Sequence, residues 1–390
     1  MKSGAGLLCA LLASLGVFAA AAAAEQPAGA AGLAPIAVPS KAGAVDGLSI
    51  NSDQFIWEKF VASVTPVAGR RRVAFQTWAT DQDTFAAPPA APVWPSPDAP
   101  VKFHASPRST LHNSRNVGVS CAEPKNPWVG AFPPTGCIAE EVRRNKPQFD
   151  YIKDNGLYNK AGIAAFYAQE GAAVDMPKDS IAIKADWVPV KTIMQWVPQL
   201  NSADAVRRYY YTTYSDGVEY GLVAMHLSSA WNPWWVWGTF EHEFNPGRCD
   251  ATGCYDSFGA LKPSVPPNYK DANTQYDECW KTPQLKRMMS KAGLAAAWDN
   301  YCLKSTQVAF VDKASRPTIL TNTVTERIME NGELISSCIS CHAYASFGAD
   351  GAPSNAAMTL LDYNPVGNVF PSALEDSKSY DFNWGLLNAQ

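Results

Sequence analysis

The sequence predicts an α+β protein: an antiparallel, β-rich, sandwich-like region over residues 47–280, then a helical C-terminal region over 281–390 packed on it. Three observations predict this. Segments rich in aromatic and β-branched residues, several alternating with period two, cluster between 180 and 241. Turn residues separate them, as Ser215-Asp216-Gly217 and Asn232-Pro233. From Thr282 onward the apolar spacing changes to that of a helix.

The chain opens with Met1-Lys2, is apolar from Leu7 to Ala23, and offers Ala22-Ala23-Ala24 as an A-x-A cleavage site. Residues 1–24 therefore predict a signal peptide, and the product is expected to be periplasmic or secreted. Residues 25–46, rich in Ala, Gly and Pro, predict a disordered leader. Asn51 to Val64 predicts a helix capped by Ser52, with Phe55, Ile56, Phe60 and Val64 on one face. Arg72 to Trp78 alternates and predicts a strand. Seven prolines in 84–108 predict a long surface loop. Lys160 to Gln169 predicts a short helix stopped by Gly171.

The strands follow: Ser180 to Val188, Tyr209 to Tyr214, Tyr220 to Leu227 and Trp234 to Glu241, read as an antiparallel meander. Thr282-Pro283 is a cap followed by a first-turn proline. Leu285, Met288, Met289 and Ala292 then form a helical stripe. Leu294 to Tyr301 and Thr323 to Asn331 predict two more helices, with residues 305–322 extended between them and the last helix stopped by Gly332.

Charge excludes one class of partner. The 32 basic and 36 acidic residues form no long run of either sign, so no nucleic-acid partner is expected. No segment after residue 24 is apolar for long enough to cross a bilayer, so no membrane span is expected after signal removal.

The chemistry-bearing stretch is Ser336-Ser337-Cys338-Ile339-Ser340-Cys341-His342. It reads Cys-x-x-Cys-His, the attachment sequence of a c-type haem. Two thiols three positions apart reach two vinyl groups of one porphyrin edge as thioethers, and the next imidazole becomes the proximal iron ligand. One covalent haem c is expected, held by Cys338 and Cys341 with His342 on the iron. A thioredoxin-like reading is disfavoured by His342 directly after the second cysteine and by the lack of a βαβ pattern.

Setting aside Cys9 and the haem pair leaves Cys121, Cys137, Cys249, Cys254, Cys279 and Cys302, an even number in an oxidising compartment. Six cysteines allow fifteen connectivities. Proximity along the chain favours 121–137, 249–254 and 279–302. Zinc is the alternative, but Cys249 and Cys254 have no second Cys or His pair at ligand spacing.

The sixth iron ligand separates carrier from catalyst. Met358 follows His342 by sixteen residues and reads as a core residue. His104 and His112 lie in a polar, Pro-rich stretch, whereas His226 and His242 lie on strands. A turn centred near Trp231 sets His226 and His242 about 20 Å apart along the ladder at ~3.3 Å per residue. His242, at a strand end, is the distal candidate. Arg248 is a candidate partner for a haem propionate or a bound oxidant.

With Trp235-Val236-Trp237-Gly238-Thr239-Phe240-Glu241-His242 and Asn245-Pro246-Gly247-Arg248-Cys249 in view, residues 180–390 resemble a family. They are similar to exported monohaem cytochrome c family proteins, which pair a W-x-W-x-T-F-E-H strand with a late S-C-x-x-C-H-A site and an ending like Asp381-Phe382-Asn383-Trp384. The resemblance implies haem binding and electron transfer, and it supplies no substrate. Only 48 residues follow His342, where small cytochromes have most of their domain, so either the haem packs against the β-rich region or the helical cytochrome unit is truncated.

The expected function is single-electron transfer to a redox partner protein. One alternative is a haem peroxidase or oxygenase whose open distal site sets His242 and Arg248 on peroxide. Another is a haem-bearing module that docks on a partner redox enzyme.

Overall fold

Antiparallel pairing gathers seven strands into one sheet, and the alternation of side chains along them decides what covers each face. The computed structural model describes residues 51–85, 89–101, 139–245, 247–249, 252–267, 275–323, 329–330, 333–334, 336–355 and 365–389. All of these belong to one unit. The expected signal peptide and leader, His104, His112, Cys121, Cys137 and Met358 lie outside the described residues.

Polar caps start most of the helices. Helix α1 (Ser52–Ser63) begins at Asn51, whose side chain accepts from the Asp53 amide. That is one residue before the expected cap, and the Ser52 hydroxyl pairs instead with Thr306 Oγ1 at 2.9 Å. The strand expected over 72–78 is absent. Ala74–Thr77 form a 3₁₀ turn, because Gln76 Oε1 accepts from the Val73 amide at 3.4 Å and Phe75 is buried beside Trp187. Strand β1 (Ala79–Thr80) leads into α2 (Asp81–Thr84), where Thr80 and Asp83 cap each other.

Strand β2 (Ala139–Arg144) precedes α3 (Lys146–Asp154) and α4 (Lys160–Tyr167), capped by Asn145 and Asn159. Strand β3 (Ile181–Pro189) is followed by α5 (Val190–Trp196) and α6 (Ala203–Tyr209). Tyr209 thus ends a helix capped by Ser202, and the strand expected from it starts later, as β4 (Thr212–Ser215). The Asp216-Gly217 turn into β5 (Val218–Ser229) holds both residues at positive φ, 48° and 79°, as an Asp-Gly hairpin requires.

Strand β6 (Val236–His242) is followed by the hairpin β7 (Cys254–Tyr255) and β8 (Ser264–Val265). Helix α7 (Pro283–Lys291) starts as expected, with Thr282 Oγ1 accepting from the Leu285 amide. Of the helix expected over 294–301, only Ala296–Asn300 coil, as 3₁₀, and Tyr301 already opens strand β9 (Tyr301–Gln307). Strand β10 (Met329–Glu330) falls at the end of the stretch expected to be helical and pairs with β11 (Glu333–Leu334), beyond it. Helix α8 (Cys338–Ala343), β12 (Ser346–Phe347) and β13 (Lys378–Ser379) complete the chain.

The sheet order is β1-β2-β3-β5-β6-β9, with β4 on β5. The architecture is therefore α+β. Strand β9 belongs to the stretch read as helical, yet it pairs with β6 from Trp237↔Gln307 to His242↔Tyr301. The sheet thus takes in a strand from beyond residue 280.

One face of β6 carries Gly238 and Phe240. A Cβ on Gly238 would lie 2.5 Å from Ile56 Cγ2, so glycine lets α1 approach. Phe240 stacks on Phe60 at 4.2 Å and meets the edge of Trp57 at 4.9 Å. The other face carries Trp237, Thr239 and Glu241, toward the C-terminal segments. Buried Glu241 is satisfied there by Lys304 Nζ at 3.1 Å, the Thr323 amide at 2.8 Å and Thr323 Oγ1 at 2.9 Å.

Candidate haem-binding site

Helix α8 is short, so neighbouring groups fix it. Ser337 Oγ caps it by accepting from the Ser340 amide at 3.4 Å. Buried Gln307, at the end of β9, accepts from the Ile339 amide at 2.9 Å and donates to Ser337 Oγ at 2.8 Å and Thr318 Oγ1 at 2.7 Å. Ser340 Oγ donates to the Gly367 carbonyl at 2.8 Å. Residues three apart on a helix lie on one side, so Cys338 and Cys341 share a face, and both are half-buried.

His342 Nδ1 lies 2.8 Å from the Phe382 carbonyl oxygen. A carbonyl only accepts, so Nδ1 carries a proton, and in the neutral ring Nε2 then carries the lone pair. The Trp237 ring packs against the imidazole, with centroids 4.6 Å apart. Trp384 Nε1 donates to the Cys341 carbonyl at 3.2 Å. Ile339, Leu320, Phe310 and Phe382 are buried in the apolar cluster to which Cys338 and Trp384 belong at its margin.

The carbonyl that receives His342 stands on a constrained turn. Asp381 and Phe382 hold φ at 49° and 64°, a region sparsely populated by residues other than glycine. Asp381 secures it, its carboxylate accepting from Trp235 Nε1 at 3.2 Å and from the Met176 amide at 2.7 Å. Trp235 itself has φ 59°. Three stretches far apart in sequence, 235–237, 338–342 and 381–384, thus meet around one imidazole.

His242 is placed elsewhere. Five residues separate it from Trp237 on β6, about 17 Å at ~3.3 Å per residue, and an odd count turns it to the opposite face. Its Nε2 lies 3.1 Å from the Tyr209 carbonyl, and its Nδ1 accepts from the Phe244 amide at 3.2 Å. It stacks on Tyr210 with centroids 3.5 Å apart. Both ring nitrogens are committed to the backbone, which removes His242 as a distal ligand. Burial holds its pKa down to about 3, against the raising effect of the Tyr209 bond, so it is neutral in the fold.

His226 pairs with Thr239, three residues from His242, so the two histidines are about 10 Å apart along the ladder rather than 20. The hairpin register differs from that expected, because the turn is centred later in the chain. Arg248 sits at the His242 end of the sheet, its guanidinium over the Tyr276 ring and donating to the Asp277 carbonyl at 2.5 Å. The pairing of Arg248 with His242 expected for peroxide chemistry is not assembled around His342.

Cys249–Cys254 and Cys279–Cys302 are disulfides, as proximity favoured. Cys121 and Cys137 lie outside the described residues. Among the described residues, no group of three or more His, Cys, Asp or Glu side chains forms a metal site, and no helix is long and apolar enough to cross a membrane.

Gln307 had no signal in the sequence, because one Gln in an extended run says nothing of what it will cap. Asp381 stood inside a quoted stretch, but its partners Trp235 and Met176 are visible only in the fold. Comparison of the chain with protein-family models, with curated proteins and with solved structures gives no match.

Proposed function

We propose that this chain is exported, binds one haem c through Cys338 and Cys341 with His342 as the proximal iron ligand, and passes single electrons to a redox partner. The observation that carries the reading is the His342–Phe382 hydrogen bond. A metal-bound imidazole ordinarily donates its other N–H to a carbonyl or carboxylate, which fixes its tautomer and orientation. His342 has that arrangement directly after a capped Cys-x-x-Cys, and its Nε2 lone pair suits iron.

The residues fit the group in other respects. Cys338 and Cys341 share a helical face, and Trp237, Phe310, Phe382 and Trp384 supply apolar surface beside them. Bound haem would supply a one-electron couple, tuned by its axial ligands and surroundings. This chain's residues would orient the imidazole, hold its proton at Nδ1 and exclude water from the Trp237 side. The two disulfides suit an oxidising compartment.

The test is denaturing electrophoresis of protein made together with haem-attachment machinery. A haem-staining band is expected, lost in Cys338→Ala/Cys341→Ala. Haem that extracts completely into acid acetone would overturn the reading.

A further inference from the structure

A second site lies at the other end of β6 and β9, remote in sequence from the Cys-x-x-Cys-His helix. A cavity of about 590 Å³ is lined there by Cys254, Cys279 and Cys302, together with Glu243, Arg248 and Trp280 among others. Two disulfides therefore border one cavity. Each has a cation against one of its sulfurs. Arg248 Nη1 is 3.3 Å from Cys249 Sγ, and Lys281 Nζ is 2.9 Å from Cys279 Sγ and 2.9 Å from the Cys279 carbonyl.

These cations are costly where they stand. Lys281 and Arg248 are 4% and 5% exposed, and Arg248 Nε has no hydrogen-bond partner. Burial holds the Lys281 pKa down to about 8, with Asp256 and Glu243 acting in the opposite sense. A disulfide sulfur is a weak acceptor and gives an ammonium little in return. A thiolate in the same position would form a charge-assisted hydrogen bond. The geometry therefore favours the reduced form more than an ordinary structural disulfide does.

Access separates the two bridges. Cys249 is wholly buried, whereas Cys279 is half-buried and lies in 275–280, a stretch without regular structure that ends beside exposed Trp280. We infer that Cys279–Cys302 is an exchangeable disulfide, opened by an external dithiol that reaches Cys279 Sγ through this cavity, with Lys281 holding the Cys279 thiolate that results.

The step balances. A thiolate of the dithiol attacks Cys279 Sγ, a mixed disulfide forms, the bond to Cys302 breaks, and Cys302 leaves with the electron pair. The second thiol of the reductant gives its proton to Cys302 and, as thiolate, attacks its own sulfur in the mixed disulfide. Cys279 leaves as a thiolate beside Lys281, and the dithiol ends as a disulfide, two electrons having entered the protein. The inference does not depend on haem binding.

The test is timed exposure of the full chain to dithiothreitol, quenching by alkylation, and mass mapping of each cysteine pair. Cys279–Cys302 is expected to open at least tenfold faster than Cys249–Cys254. At equilibrium, Lys281→Met should make 279–302 about tenfold harder to reduce, about 30 mV for a two-electron couple, while Lys281→Arg retains most of the wild-type behaviour. Equal or reversed opening rates in the wild type overturn the proposal, and that arm needs no variant to fold. An unchanged equilibrium in folded Lys281→Met overturns it as well. A protein dithiol that outpaces dithiothreitol at equal concentration would identify the source of reductant as a protein and supports the same site.

Discussion

Trp235 and Asp381 are joined by a hydrogen bond of 3.2 Å, 146 residues apart in the chain, and both hold φ in the left-handed region, at 59° and 49°. Such backbone costs about 1–3 kcal/mol per residue and persists only where the surroundings over-determine it. Here the two constrained turns secure each other, and the product is the position of the Phe382 carbonyl. The proton on His342 is thus placed by a contact that His342 does not itself make.

Asp381→Ala should therefore be strongly destabilising. It strands the buried Trp235 indole N–H and the Met176 amide, each worth about 1–3 kcal/mol when left unpaired. A total loss of about 2–5 kcal/mol is expected in denaturant unfolding. Asp381→Asn keeps an acceptor and tolerates positive φ, so it should lose less than half as much. Equal losses for Ala and Asn would show that the carboxylate bonds do not hold the turn.

Gln307→Leu keeps the volume and removes the hydrogen bonds by which Gln307 ties α8 to the end of β9. The Ile339 amide then loses its acceptor, and Ser337 loses a donor. The expected cost is about 2–4 kcal/mol, read as a shift in the unfolding midpoint by circular dichroism. A loss below about 0.5 kcal/mol would mean that packing alone fixes the helix.

His242→Ala tests the distal side of the iron. Because both imidazole nitrogens already bond to backbone, the ferric visible spectrum of haem-loaded protein should keep the wild-type spin state, while the fold loses stability. A change from low to high spin on substitution would restore His242 as an iron ligand.

Acid stability should also depend on His242. Its folded pKa of about 3 lies below the ordinary 6.5, so the unfolded chain binds a proton that the folded chain refuses. The stability it contributes is complete above about pH 6.5 and is lost as pH falls toward 3, at up to about 1.4 kcal/mol per pH unit. His242→Gln should be less stable at pH 7 yet show a flatter decline over this window. Parallel curves for the two proteins would remove His242 from the acid transition.

A third disulfide between Cys121 and Cys137 is expected by the same proximity that favoured the other two. Peptide mapping under non-reducing conditions should recover these cysteines as one linked pair. Recovery of either as an alkylated thiol from oxidised, folded protein would count against it.

Signals that act over a few residues were legible in the sequence. Asp216-Gly217 specifies a turn because few residues accept positive φ there, and Thr282-Pro283 starts α7 because a hydroxyl cap and a missing N–H suit a first turn. The 249–254 and 279–302 pairings, and the alternation of β3, β5 and β6, belong to the same class. The Cys-x-x-Cys-His spacing selected the helix around which three stretches meet, and it raised the haem proposal that the His342–Phe382 bond then supports.

Tertiary structure decided the partners of buried polar groups. Residues 72–78 alternate like a strand, but Gln76 turns back on the Val73 amide and coils them. Tyr301 closes a stretch read as a helix, yet it opens strand β9, which pairs with β6 because the free edge of β6 needs acceptors and donors. A three-residue difference in hairpin register halves the distance between His226 and His242, and one strand's alternation turns His242 away from His342. Spacing along a chain fixes local geometry, whereas the nitrogen that keeps its lone pair depends on a carbonyl 40 residues away.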